Sequence, residues 1–161
     1  MLRPRDVIGF CQEAVQNAQR AGRIKVDEDD VFVAWESSGQ NILMQAHTEF
    51  QHKYPRLADL VLGLSELPFE MEWRDVQTIL TNRGQKITHD EDWLKKGLED
   101  PVVLLAGLYE AGIVGIRRTS SSVWYESARQ FEDLRVDLEP NSTIVIHPAL
   151  RAYLMSQGNP A

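Results

Sequence analysis

Cysteine is almost absent from this chain of 161 residues, since Cys11 is the only one. An internal disulfide and a cysteine-based zinc site are therefore excluded. Long apolar runs are missing too: the best of them, Val102–Leu105, is far shorter than the ~20 apolar residues that span a bilayer. The N-terminal sequence Met-Leu-Arg-Pro-Arg-Asp lacks the apolar core of a signal peptide. We therefore predict a cytoplasmic protein with no membrane contact.

Basic residues are in deficit. The chain has 17 Lys and Arg against 24 Asp and Glu, which gives a formal net charge of −7. Proteins that bind by neutralising phosphates usually carry a surplus of Lys and Arg. The charge balance makes nucleic-acid binding a weaker expectation, although net charge does not say where the charges lie and a local basic patch remains open.

Motifs for catalysis are missing as well. Neither G-x-x-x-x-G-K-[ST] nor G-x-G-x-x-G occurs, and such glycines are what let backbone N–H groups crowd around a phosphate. His47 and His52 are five residues apart, on different sides of a helix, so we predict no metal site. The acidic clusters Asp27–Asp30 and Asp90–Asp92 are more typical of helix starts than of paired catalytic carboxylates. We predict no catalytic residue and no enzyme activity from this chain by itself.

The first part of the sequence predicts a helical array. Apolar residues recur there at three- and four-residue spacing, between prolines, glycines and capping residues. Four helices are predicted: Pro4 to Gly22, Asp27 to Trp35, Gln40 to Lys53 and Leu57 to Leu64. Ser37-Ser38-Gly39 is expected to separate the second helix from the third, and Tyr54-Pro55 is expected to separate the third from the fourth. Residues 1–66 are thus predicted to be a helical, lid-like subdomain, with Leu67-Pro68-Phe69 as the joint to the next unit.

The remainder predicts a winged helix. Three helices are expected first: Trp73 to Gly84, Trp93 to Leu98 and Pro101 to Gly112. Three β-prone runs follow: 113–116, 123–125 and 143–146. The first two β-prone runs flank a turn-forming cluster of serines, which predicts a hairpin, and Pro148 starts a closing helix. The predicted fold class is mostly α with a small β wing, in which residues 67–155 form the winged-helix domain and 156–161 a disordered tail.

Two arginines lie at the start of the first helix. Arg3 and Arg5 oppose the helix dipole, which favours anions at a helix N-terminus, so their placement suits an anionic ligand docking beside them. Ion pairing with Asp6 or another acid explains the same placement, and composition alone favours that explanation. His147 precedes Pro148 at the start of the closing helix and is expected to act as a cap or turn residue.

Four basic residues are candidates for nucleic-acid contact. Arg117 and Arg118 lie on the expected wing, and Lys95 and Lys96 lie just before the helix that should enter the major groove. That helix, 101–111, contains no Lys or Arg and carries Glu110. Binding to DNA is therefore retained as an alternative function, disfavoured by thin coverage of phosphates.

Several segments resemble a known family. Leu2–Cys11, Tyr54–Leu57, Leu108–Ile116 and Ile146–Leu154 are similar, in this order, to the region C-terminal to the nucleotide core in bacterial P-loop ATPases related to the STAND, KAP and AAA types. The resemblance runs nearly from end to end. It implies a helical lid followed by a winged-helix domain.

The resemblance also implies a role for the N-terminal arginines. In related ATPases a sensor-2 arginine at the start of a lid helix reaches the phosphates of bound ATP, and Arg3 and Arg5 match that position. ATP and Mg²⁺ would belong to an adjoining core in the same or a partner chain, because the phosphate loop is missing here. The chain is then expected to be a regulatory region. Its lid would sense the bound nucleotide, and its winged helix would relay that state to the core or to a protein effector.

Overall fold

The computed structural model describes residues 4–65, 68–87, 92–117, 123–124, 131, 135 and 138–158; the side chains of 4–6, 124, 157 and 158 lie outside this description. Its helices are α1 (Pro4–Arg20), α2 (Glu28–Phe50), α3 (Leu57–Leu62), α4 (Trp73–Lys86), α5 (Asp92–Glu99), α6 (Pro101–Glu110) and α7 (Pro148–Gly158). Its strands are β1 (Glu70–Glu72), β2 (Val114–Arg117), β3 (Val123–Trp124) and β4 (Thr143–Ile146). The chain is mostly α with a small β wing, as the sequence predicts.

The turn between α1 and α2 is fixed by its own residues. Gly22 has a φ of 72°, a conformation that favours glycine, and it follows the end of α1 as predicted. Asp27 caps α2: its side chain accepts from the backbone N–H of Asp30 at 3.0 Å, and the Asp30 carboxylate accepts from the N–H of Asp27 at 3.0 Å. Arg23 donates to Asp30 at 2.5 Å. Together these contacts hold α1 and α2 as a helical hairpin.

The predicted interruption of α2 is wrong, because one helix of 23 residues runs through Ser37-Ser38-Gly39. Gly39 is buried where α7 crosses. A Cβ on Gly39 would lie 2.7 Å from the Cβ of Tyr153 and still closer to the carbonyl oxygen of Ala149. The small residue therefore permits a close helix crossing and does not end the helix.

The predicted end of α4 is also too early. The helix continues past Gly84 to Lys86. Gly84 is buried, and a Cβ there would come within 3.0 Å of the Leu98 side chain. This glycine allows α4 to pack closely against α5, and it does not end the helix.

The strands form one antiparallel sheet in the order β1-β4-β2-β3. The predicted hairpin is confirmed, with Ile116 opposite Trp124 and Arg117 opposite Val123; Tyr125 lies outside the described residues. β4 returns to pair with β2, so the long connection between β2 and β4 is an enlarged wing that contains β3. β1, which the sequence does not predict, pairs with the other side of β4.

The buried residues form one cluster that draws on both parts of the chain. Its largest fully buried members come from α3, α4, α5, α6, α7, β2 and the turn before β2: Leu57, Leu60, Leu80, Leu94, Leu104, Leu105, Leu108, Tyr109, Ile113, Ile116 and Leu150. α6 alone contributes Leu104, Leu105, Leu108 and Tyr109 to this core. The predicted boundary near residue 66 stays a prediction.

The closing helix extends beyond its predicted end. α7 reaches Gly158, into the 156–161 range predicted as a tail, and residues 159–161 lie outside the described residues. None of the helices in the described ranges is long and apolar enough to cross a membrane.

Candidate functional site

α6 occupies the recognition-helix position of a winged helix, directly before the β2 strand. Asp100 caps it by accepting a hydrogen bond from the Val102 N–H at 3.1 Å, and Pro101 occupies its first turn, where a missing N–H does no harm. The helix ends before Gly112, whose φ is 71°. Strong start and stop residues thus set the bounds of α6, as the sequence predicts.

Much of α6 is packed against the rest of the domain. Leu104, Leu105 and Tyr109 are completely buried, and no other residue from Pro101 to Glu110 is more than partly exposed. A DNA-reading helix needs several long polar side chains on an open face that can enter the major groove. The accessible side of α6 is only partly exposed, at residues such as Val102, Val103 and Ala106, and it carries no Lys, Arg, Asn or Gln, so α6 is better suited to packing than to reading bases.

Two residues of the enlarged wing take part in this covering. Phe131 is buried against Tyr109, with ring centroids 5.7 Å apart. Arg135 donates to the Asp100 carboxylate at 3.1 Å, at the start of α6. The connection between β3 and β4 therefore contacts α6 near both of its ends.

Glu110 ties the last turn of α6 to the α2–α3 connection. Its Oε2 accepts from Lys53 Nζ at 2.5 Å and from the Tyr54 hydroxyl at 2.8 Å. The hydrogen bond to Glu110 raises the pKa of Lys53, and burial raises the pKa of Tyr54. Trp93 adds a hydrogen bond from its indole N–H to the Pro55 carbonyl at 2.7 Å. We call Lys53, Tyr54 and Glu110 the Glu110 clamp.

The wing arginine Arg117 is engaged within the protein. Its guanidinium donates to both carboxylate oxygens of Glu70, at 2.6 and 2.7 Å, across the intervening strand β4. This paired contact lowers the pKa of Glu70. Arg118 lies outside the described residues. Contact between Arg117 and a phosphate would therefore compete with the Glu70 ion pair.

Lys95 and Lys96 are both exposed on α5. Trp93 and Leu94 anchor the opposite side of the helix in the core. Exposed carboxylates at both ends of α5, on Asp92 and Glu99, offset the two lysines. This surface has mixed charge and could neutralise few phosphates.

The N-terminal arginines are placed only in part. Arg3 lies outside the described residues, and Arg5 belongs to the first turn of α1, but its side chain is not described. Their match to a sensor-2 arginine stays a prediction. In the described ranges no group of three His, Cys, Asp or Glu side chains could hold a metal ion.

Comparison with known proteins gives two similarities. Residues 1–45 match the family described as the FunZ-associated C-terminal helical domain, a span that covers α1 and most of α2. The chain is also 25% identical, over 133 residues, to a protein of Methanocaldococcus jannaschii described as an uncharacterised HTH-type transcriptional regulator. This match covers 83% of the chain and 28% of the relative, so the chain spans less than a third of that protein. No solved structure gives a significant match.

These similarities favour a winged-helix regulator over an ATPase lid. A helix-turn-helix regulator is similar to most of the chain, and neither description names a P-loop ATPase. The resemblance to P-loop ATPases seen in the sequence therefore gains no support from either match.

Proposed function

We propose that this chain is a non-catalytic, cytoplasmic regulatory module, a winged helix within a larger protein similar to HTH-type regulators. The observation that carries the proposal is the packing of α6, which stands in the recognition-helix position with no fully exposed residue and no Lys or Arg. The module acts through contacts with protein, because the helix that would read DNA supports the core. The similarity to an HTH-type regulator supports the regulatory role.

Electrostatics support protein contacts over DNA contacts. Arg117 pairs with Glu70, and Lys95 and Lys96 share α5 with exposed acids. The net charge of −7 repels a polyanion at long range. Any binding to duplex DNA should be non-specific and should weaken steeply with salt.

Titration of fluorescent duplex DNA by the full chain tests this proposal. Fluorescence anisotropy should show weak binding at about 50 mM salt that is lost near about 200 mM. Lys95→Gln with Lys96→Gln should weaken the low-salt binding for all duplex sequences alike. Tight, sequence-selective binding at the higher salt would instead establish a DNA-binding regulator.

A second candidate is the lid of a P-loop ATPase, in which Arg3 or Arg5 senses ATP and Mg²⁺ on an adjoining core. Its support is that α1 begins at Pro4, so Arg5 lies in the first turn of a helix, and helix N-termini favour bound phosphates. Replacing both arginines with alanine in the protein that contains the core tests it. Unchanged ATP turnover and switching there would reduce them to surface charges.

A further inference from the structure

An open groove of about 870 Å³ lies between α1 and α2 and reaches Ala149 of α7. On α2 its lining includes Trp35, Ile42 and Glu49, which are seven residues apart and therefore share one side of the helix. On α1 the lining runs from Gly9 to Gln16. The groove thus follows the helical hairpin along about four turns of α2.

The groove contains apolar surface that could hold partner side chains. Phe10 and Trp35 lie against each other, with ring centroids 4.7 Å apart. Ile42 is partly buried against the core, and Met44 is 60% exposed. Aromatic and methionine side chains that stay accessible in a concave surface are typical of sites that bind apolar anchors.

The charged side chains among the described lining residues of the groove are acidic. Glu13 of α1 and Glu49 of α2 both line it, and the described lining includes no Lys, Arg or His. Among the described residues, the ion pair of Glu13 is a long contact of 3.9 Å with Arg20, and Glu49 has no ion pair. An occupant with basic side chains beside apolar ones would complement this surface.

We propose that the α1–α2 groove is a docking site for a basic amphipathic helix of a partner protein. A groove bounded by two helices suits a third helix, whose apolar anchors at three- and four-residue spacing would meet Phe10, Trp35 and Met44. Its Lys or Arg side chains would reach Glu13 and Glu49. The proposal goes beyond the winged-helix function, since it uses no residue of α6 or of the wing.

A selection from displayed helical peptides tests the chemistry of the occupant. The library holds peptides of about 15 residues, long enough to form an isolated helix, with fixed apolar anchors and with charge varied elsewhere. Selection uses the full chain. Peptides rich in Lys or Arg should be enriched, and their affinity, measured by fluorescence anisotropy, should fall as salt rises.

Paired variants locate the binding. Glu13→Gln with Glu49→Gln should weaken binding about three- to tenfold, and Met44→Ser should weaken it about as much by removing an apolar contact. The matched controls are Glu99→Gln and Met155→Ser, which remove an exposed acid on α5 and an exposed methionine on α7. Both controls should bind the peptides like the parent chain, and circular dichroism should show that all variants are folded.

Several results would overturn the proposal. One is that the selection enriches no peptides. Another is that the enriched peptides are acidic, or that they bind the groove variants as well as the parent chain. Sedimentation showing a dimer that Met44→Ser dissociates would assign the groove to a second copy of the chain. Enrichment of peptides rich in Asp or Glu whose binding is lost in Arg5→Ala would point to an anionic occupant. Tight DNA binding through another surface would sink the proposed function and leave this proposal standing.

Discussion

The Tyr54 hydroxyl donates a hydrogen bond to the Glu110 carboxylate at 2.8 Å, across 56 residues of sequence. Tyr54 is 7% exposed, and its ring packs on Trp93 with centroids 5.2 Å apart. The contact joins the connection after α2 to the last turn of α6. Because α6 is the central helix of the core, the Glu110 clamp couples the helical hairpin to the winged helix.

Removing the Tyr54 hydroxyl should destabilise the fold. Tyr54→Phe deletes a donor to a charged acceptor in a mostly buried site, and we expect a loss of about 1–2 kcal/mol in the free energy of unfolding. Urea denaturation followed by circular dichroism measures it. Tyr153→Phe is the control, since the described residues offer its hydroxyl no hydrogen-bond partner, and it should change stability by less than about 0.5 kcal/mol. Equal losses in the two variants would contradict a role for the clamp.

Local sequence patterns predicted the elements that have local causes. The bounds of α6 follow from Asp100, Pro101 and Gly112, and the start of α2 follows from the Asp27 cap, since each of these residues acts on its own turn. The β2–β3 hairpin follows from two β-prone runs around a turn-forming cluster. Such features need only neighbours in sequence to be recognised.

The features that were missed depend on residues far apart in sequence. β1 is the tripeptide Glu-Met-Glu, which has no β-branched or aromatic residue and exists because β4 pairs with it. Gly39 has the sequence signature of a helix break. Its actual role is not visible locally, because the α7 residues that it contacts lie over a hundred residues away in sequence. The covering of α6 depends in part on Phe131, and no local signal places that residue beside Tyr109. Tertiary contacts thus decide how much of α6 is accessible.

The α2–α7 crossing should resist any side chain at Gly39. Gly39→Ala places a Cβ 2.7 Å from Cβ of Tyr153, so the helices must move apart. We expect a net loss of about 1–3 kcal/mol, although alanine favours the helix itself. Chemical denaturation monitored by tryptophan fluorescence is the measurement.

Gly9 supplies the matched control for that experiment. It lies in α1, and a Cβ added there meets no atom within 4 Å. Gly9→Ala should therefore stabilise the protein by about 0.5–1 kcal/mol through helix propensity alone. Opposite signs for the two substitutions are the expected result, and a stabilised Gly39→Ala variant would refute the close crossing.

The Glu70–Arg117 pair should make stability depend on pH at the acidic end. The hydrogen bonds from Arg117 lower the pKa of Glu70 in the folded protein, so the folded state holds the carboxylate ionised better than the unfolded chain does. Its stabilising contribution is complete above the unfolded pKa of about 4.3 and is lost as pH falls through the lower folded pKa.

Glu70→Gln isolates this contribution. The stability difference between the parent chain and Glu70→Gln should be largest near neutral pH and should shrink as pH falls from about 5 to about 3. Thermal melts across that interval measure it, and Glu99→Gln serves as a control for removing one exposed carboxylate. A difference that stays constant with pH would show that the ion pair does not contribute.

The last prediction separates a core helix from a masked recognition helix. Phe131 is 4% exposed and packs on Tyr109, so Phe131→Ala should lower stability by about 3–4 kcal/mol and should increase binding of an apolar dye. A domain of ordinary stability, about 5–15 kcal/mol, stays folded after such a loss. Phe131→Leu keeps an apolar side chain at this site and should cost about half as much.

If α6 is a core helix, uncovering it should not raise affinity for labelled duplex DNA, because Pro101–Glu110 contains no Lys or Arg to contact phosphates or bases. A gain in sequence-selective DNA binding by Phe131→Ala, absent in Phe131→Leu, would instead show that the wing holds a recognition helix in reserve.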